Sequence, residues 1–150
     1  MSGRWFEELS VGLTVEHAVR RTISEADSVF FSSLTMNPTR LHLDAVAAAE
    51  SEFGRRTVDN LYVLSLLVGL SSYELTLGTM IANLGYDSIE FPGTVFPGDT
   101  IHAVSQIIES RPSRSRPETG IVAFEHRAFN HQGELVASCV RRAMMERRPA

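Results

Sequence analysis

The sequence predicts a single α+β domain in which an antiparallel sheet wraps around a buried central helix. Three observations predict it. The stretch from Asp59 to Leu70 carries apolar residues on every face, so as a helix it has to be enclosed. The chain beyond it places turn chemistry at Pro92-Gly93, Pro97-Gly98-Asp99 and His131-Gln132-Gly133 between strand-like runs. No linker, internal repeat or low-complexity tract divides the 150 residues, so 1–150 reads as one domain, long enough to bury its own core.

The elements follow in order. Val15 to Thr22 reads as a first strand. Ser24 is placed to cap a helix through Phe31, with Glu25 and Asp27 in the first turn, where acidic groups meet the positive end of the helix dipole. Asp44 stands before Ala45-Val46-Ala47-Ala48-Ala49 as the cap of a second helix, which is expected to stop near Gly54. Gly69, inside the apolar helix, leaves room for another backbone. Ser88 to Phe91, Thr100 to Glu109, Gly120 to Asn130 and Leu135 to Met145 read as strands. Val95 to Asp99 reads as a type II turn with Pro97 and Gly98 at its centre. A loop rich in arginine and proline, 110–119, separates two of the strands, and His126 and His131 are expected to flank the last hairpin.

Composition removes several functions. A hydrophobic content of 43% and a charged content of 21% are ordinary for a globular protein, and the net charge of −4 argues against nucleic-acid or membrane-surface binding. All fourteen basic residues are arginine, which excludes Schiff-base chemistry and a Walker-type phosphate loop. One cysteine, Cys139, allows no internal disulfide and reads as a buried thiol. The N-terminus lacks the pattern of a signal peptide, and Leu61 to Leu70 is too short to span a bilayer. A soluble cytoplasmic protein is the expectation. His17, His102, His126 and His131 show no metal-ligand spacing, so no metal is expected.

Chemistry concentrates in Thr35-Met36-Asn37-Pro38-Thr39-Arg40-Leu41-His42-Leu43-Asp44, a polar loop that sets an amide and an imidazole five residues apart. An imidazole with an ordinary pKa of about 6.5 both takes and gives a proton near neutrality. Asp44 is accounted for as a helix cap. Asp59 and Asn60 begin the apolar helix, where they serve as N-caps or leave backbone N–H groups for a developing oxyanion, two compatible roles. Arg111, Arg114 and Arg116 crowd the loop 110–119, and arginine suits phosphate geometry; a solvated surface loop is the plainer alternative.

The segment 35–44 resembles the signature of the MaoC-like hydratases of the hotdog superfamily, a loop of the form T-G-D-x-N-P-x-H-x-D. Phe53-Gly54-Arg55, the Pro97-Gly98-Asp99 turn and the final hairpin extend the resemblance over most of the chain. It is nearest to small members linked to mesaconyl-CoA or itaconyl-CoA hydration. The resemblance implies hydration of an enoyl-CoA, or dehydration of a 3-hydroxyacyl-CoA, in a homodimer, with no cofactor beyond the coenzyme A of the substrate. His42 falls on the catalytic histidine. Asn37 falls on the catalytic aspartate, and its carbonyl is expected to orient the water while His42 moves the proton; shaping a turn beside Pro38 is the alternative. The backbone of Asn60 and Leu61 is implied as the oxyanion donor, though the family's usual His-Gly pair is absent there. Arg114 and Arg116 become candidates for the coenzyme A phosphates, and Arg40 and Arg55 for a substrate carboxylate. A hotdog thioesterase and a non-catalytic acyl-CoA-binding or assembly protein are the alternative functions.

Overall fold

The computed structural model describes residues 3–149. Four helices and six strands follow one another: β1 (Thr14–Glu16), β2 (Arg21–Thr22), α1 (Glu25–Leu34), α2 (Arg40–Leu43), α3 (Ala45–Ala49), α4 (Asn60–Leu75), β3 (Met80–Glu90), β4 (Thr100–Pro112), β5 (Thr119–Phe129) and β6 (Leu135–Glu146). The sheet is antiparallel in the order β1-β4-β5-β6-β3, with β2 also on β4. Its concave face packs against α4 through β4, β5 and β6.

Burial alternates along β4 and β6, as a strand with one face on a core requires. The inward residues of the β4–β5–β6 triplet are apolar at both ends. Around Val63 and Leu67 lie Ile101, Ala103, Ala128, Ala137 and Cys139. Around Leu75 lie Leu9, Ile107, Phe124, Ala143 and Met145. Between these two clusters the same face carries Ser105, His126 and Arg141, each at most 2% exposed.

The local signals hold. Ser24 and Asp27 form a reciprocal capping box on α1, and Asp44 Oδ1 accepts from the N–H groups of Val46 and Ala47 at the start of α3. At the Phe96–Asp99 turn Asp99 N–H donates to the Phe96 carbonyl at 3.0 Å, and Gly98 sits at φ +99°, the conformation a type II turn demands of its third residue.

Several boundaries differ from expectation. The first strand is two short pieces, because His17 turns its ring inward to Glu74 and Ser105 while Ala18 N–H donates to Glu74. α3 ends at Ala49, and Gly54, at φ +68°, serves the turn after it. α4 extends to Leu75 and is covered on one side only: Leu61 and Tyr73 are 58% and 60% exposed. An added Cβ at Gly69 would meet nothing within 4 Å, so no backbone of the described residues approaches there. β3 starts at Met80, eight residues before the expected Ser88, and is an outer strand of the sheet, at the end opposite β1. Strands reach Pro112 and Thr119, leaving only 113–118 as the arginine-rich turn. No helix among the described residues is long and apolar enough to cross a membrane.

Candidate active site

The motif loop is fixed at both ends by backbone hydrogen bonds. α1 closes with Met36 N–H on the Ser33 carbonyl and Asn37 N–H on the Ser32 carbonyl. This is a Schellman closure, and it puts Met36 at φ +58°, a left-handed conformation in which glycine is usual. Asn37 is delivered at the end of that turn. Downstream, Thr57 N–H donates to the Leu41 carbonyl, which docks α2 on the segment leading into α4, and Val58 N–H donates to the Val95 carbonyl.

His42 is oriented by this docking. Its Nδ1 lies 2.9 Å from the Thr57 carbonyl oxygen. A carbonyl only accepts, so Nδ1 carries the hydrogen and, in the neutral ring, Nε2 presents its lone pair. His42, Asn37, Leu41, Phe53, Thr57, Val58, Asp59, Asn60 and Thr94 line one cavity of about 280 Å³ at the N-terminus of α4.

The Asn37 amide can be oriented by the same logic. Thr39 N–H reaches Asn37 Oδ1 at 3.1 Å, and since a backbone N–H only donates, the atom facing it is the oxygen. The Thr39 hydroxyl donates to the same oxygen at 2.7 Å. Asn37 Nδ2 therefore faces Asp59 and donates to Oδ2 at 2.6 Å. Asp59 Oδ1 accepts from Leu61 N–H at 2.8 Å as the N-cap of α4. Asp59 is 6% exposed. A buried carboxylate thus stands in the cavity beside the amide.

The structure brings some expected site residues together and separates others. Asn37, His42 and Asn60 share the cavity. The carbonyl expected to hold a water on Asn37 is already engaged twice by Thr39, which leaves that side chain one N–H to offer. Leu61 N–H is taken by Asp59, whereas Asn60, the first residue of α4, belongs to the helical turn whose N–H groups lack intrahelical partners. Arg40 lies outside the cavity lining, forked onto Asp44 at 2.8 and 3.0 Å on the surface. Arg55 also lies outside it, its guanidinium 4.2 Å over the Phe96 ring. Arg114 and Arg116 sit beyond the far end of β4; the cavity is at the opposite end, about 40 Å away along a strand of this length at ~3.3 Å per residue. Among the described residues no three His, Cys, Asp or Glu side chains converge as metal ligands.

Sequence reading missed a second polar cluster. His126 lies in the middle of β5, fully buried, and not beside the hairpin. Its Nδ1 is 2.6 Å from Ser105 Oγ, which is 2.8 Å from His17 Nε2, and His17 Nδ1 bonds Glu74. Phe124 stacks on His126 and lies under Arg141. Burial, then the charges of Arg141 and His17, hold the His126 imidazole well below its usual value. Burial also raises the Cys139 thiol to about 11, in keeping with a structural cysteine. The bonded pairs His17–Ser105 and Ser105–His126 are 88 and 21 residues apart, and only strand register (Ser105 opposite His126) would have found them.

Known proteins share this fold. The model of the MaoC like domain matches residues 7–128. The chain belongs to the MaoC-like domain family. Its fold is the hotdog, a sheet around a helix. The MaoC-like chain superposes on a MaoC-like dehydratase from Rhodospirillum rubrum with a TM-score of 0.86 at 26% identity, covering 99% of this chain and 100% of that one. It is 35% identical to a mesaconyl-CoA hydratase of Cereibacter sphaeroides, over 98% of this chain and 42% of that protein. It is 32% identical to a beta-methylmalyl-CoA dehydratase of Chloroflexus aurantiacus, over 97% of this chain and 41% of that protein. The chain therefore spans about two fifths of the length of these curated relatives.

Proposed function

We propose that this MaoC-like domain adds water to the double bond of an enoyl-CoA, or removes it from a 3-hydroxyacyl-CoA. One observation carries the reading: His42 has Nδ1 fixed on the Thr57 carbonyl, while its ring lines a cavity shared with Asp59 and the N-terminus of α4. Hydration needs a group that takes a proton from water as it attacks the β-carbon and returns one to the α-carbon. An imidazole with one nitrogen anchored does both through the other. The thioester carbonyl gains negative charge as this happens, and the Asn60 N–H at the positive end of α4 suits it. The names of the relatives support the same reaction class.

A cavity of about 280 Å³ suits a short acyl group. A branched dicarboxylic group such as mesaconyl or itaconyl is the first proposal, supported by the relatives named mesaconyl-CoA hydratase. An uncharged short enoyl group is the second, and Asp59 favours it. A substrate carboxylate would enter a cavity that already holds a carboxylate and that neither Arg40 nor Arg55 lines. Measuring kcat/KM for mesaconyl-, itaconyl- and crotonyl-CoA by the enoyl absorbance decides between them. Faster crotonyl-CoA turnover selects the second. Release of free thiol in step with the loss of the enoyl band would mean a thioesterase, and no turnover of any thioester would mean a binding protein.

The working form is proposed to be a homodimer paired through β3. This outer strand carries Ile81, Leu84, Tyr86 and Ile89, each 37–49% exposed, and among the described residues its outer edge pairs with no strand, so a second copy would cover it. A mass by sedimentation equal to one chain would contradict it.

A further inference from the structure

We propose that the carboxylate of this site is Asp59, and that Asn37 is the residue that positions it. The proposal rests on the hydratase reading above. Both oxygens of Asp59 accept hydrogen bonds, Oδ1 from Leu61 N–H at 2.8 Å and Oδ2 from Asn37 Nδ2 at 2.6 Å. Each carboxylate oxygen has a second lone pair, so the group still has capacity to accept from a ligand. Asp59 lines the same cavity as His42 and is 6% exposed, where an electrostatic contact is stronger than in water. Helix capping alone does not call for a buried residue two hydrogen bonds deep with one of them on a loop amide. Asn37 cannot take this role itself, because Thr39 engages its oxygen.

The step balances without any further reagent. Water oxygen bonds to the β-carbon, and one of its protons passes to His42 Nε2. The electron pair of the double bond moves to the α-carbon and the thioester carbonyl. His42 then returns that proton to the α-carbon and is neutral again. Asp59 gains no proton. It accepts a hydrogen bond from the second hydrogen of the water, aims the oxygen lone pair, and favours the imidazolium while it exists.

The hydrogen bonds supply an unusual test, since the 37–59 contact can be inverted. In the double variant N37D/D59N the carboxylate now at position 37 still accepts from Thr39 and also accepts from the amide at position 59. That amide keeps its own oxygen free to cap Leu61. Each bond survives, with donor and acceptor exchanged only across the 37–59 pair. Aspartate and asparagine cap helices about equally, so D59N keeps the Leu61 cap but sets two amide NH2 groups face to face at the 37–59 contact, and circular dichroism checks that the fold is kept. With whichever enoyl-CoA the unmodified protein turns over best, D59N should lower kcat at least about 100-fold, the scale of a lost proton-transfer or water-orienting group. The inverted pair should regain at least about tenfold over D59N, since one carboxylate is back at the contact. Folded D59N with unchanged kcat overturns the proposal. So does an inverted pair no better than D59N, because Asp59 would then act only as a cap. An unmodified protein that hydrates none of the thioesters overturns the hydratase reading itself, which separates the two failures.

Discussion

Two histidine clusters in this chain use similar parts and differ in what is left over. At the N-terminus of α4, His42 meets a backbone carbonyl on one nitrogen and a cavity on the other side, with Asp59 and Asn37 in the same lining. In mid-sheet, Glu74, His17, Ser105 and His126 make a continuous chain of hydrogen bonds, and His17, Ser105 and His126 are at most 2% exposed. A carboxylate, an imidazole and a serine in line would suggest a nucleophile by composition. Access decides otherwise: His17, Ser105 and His126 are sealed from solvent, and only the Glu74 end of the chain reaches an open cavity, beside Trp5 and Tyr73 and away from His42. The first cluster keeps acid–base capacity facing open space, and the second consumes it inside the fold. The proposed function assigns chemistry to the former and stability to the latter.

The sharpest way to break that division is Ser105→Ala. The hydroxyl bridges two buried imidazoles, so its removal strands His17 Nε2 and His126 Nδ1, leaving His126 without a partner and His17 held by Glu74 alone. At roughly 1–3 kcal/mol for each of the two stranded nitrogens, an unfolding free energy lower by about 2–6 kcal/mol is expected. Urea denaturation measures it, and kcat should stay close to that of the unmodified protein. A lost kcat with unchanged stability would transfer the chemistry to the sealed cluster.

A smaller effect is expected from acid. The His126 imidazole titrates lower when folded than when unfolded, by burial first and by the Arg141 and His17 charges next. Its neighbours are Ser105 and through it His17 on the β1 side, Arg141 on β6 and Glu74 on α4. Above the unfolded value of about 6.5 both states are neutral and the group contributes no pH dependence. As pH falls below it, the unfolded chain binds a proton that the folded chain refuses, and stability declines by up to about 1.4 kcal/mol per pH unit. Urea midpoints at pH 7.5, 6.5 and 5.5 should show this decline, and His126→Gln should flatten it. An equal slope in both proteins would assign the acid sensitivity elsewhere.

The weakest effect is expected at the far hairpin. Replacing Arg114 and Arg116 with alanine should leave KM for the CoA thioester within about twofold, since a screened surface charge at that distance from its own cavity does little. A large rise in KM at low salt that spares a pantetheine thioester would mean that the loop grips phosphate, which in a dimer it could do only at the partner's cavity.

How much could be read from the sequence follows the same contrast between local and distant. Ser24, Asp44 and the Pro97-Gly98 turn were legible because each acts on backbone within three residues. The motif pointed to His42 because the spacing 37–42 lies in one loop. β3 was legible only in its last residues: as an exposed outer strand it has no buried face to impose alternation, and Asn83, Gly85 and Asp87 interrupt it. Asp59 was legible as a cap, but its bond to Asn37 spans 22 residues and needed the fold. The arginines were misplaced for the opposite reason. Their density was visible, while the direction of β4, which carries them away from the cavity, was not.

The most direct test of the division is the rate of enoyl-CoA hydration by His42→Ala, followed by loss of the enoyl absorbance alongside a thermal melt. The account predicts kcat lower by at least about 100-fold, the scale of a lost acid–base group, with the melting temperature unchanged. A folded His42→Ala protein that hydrates the same thioester at close to the original rate would contradict it.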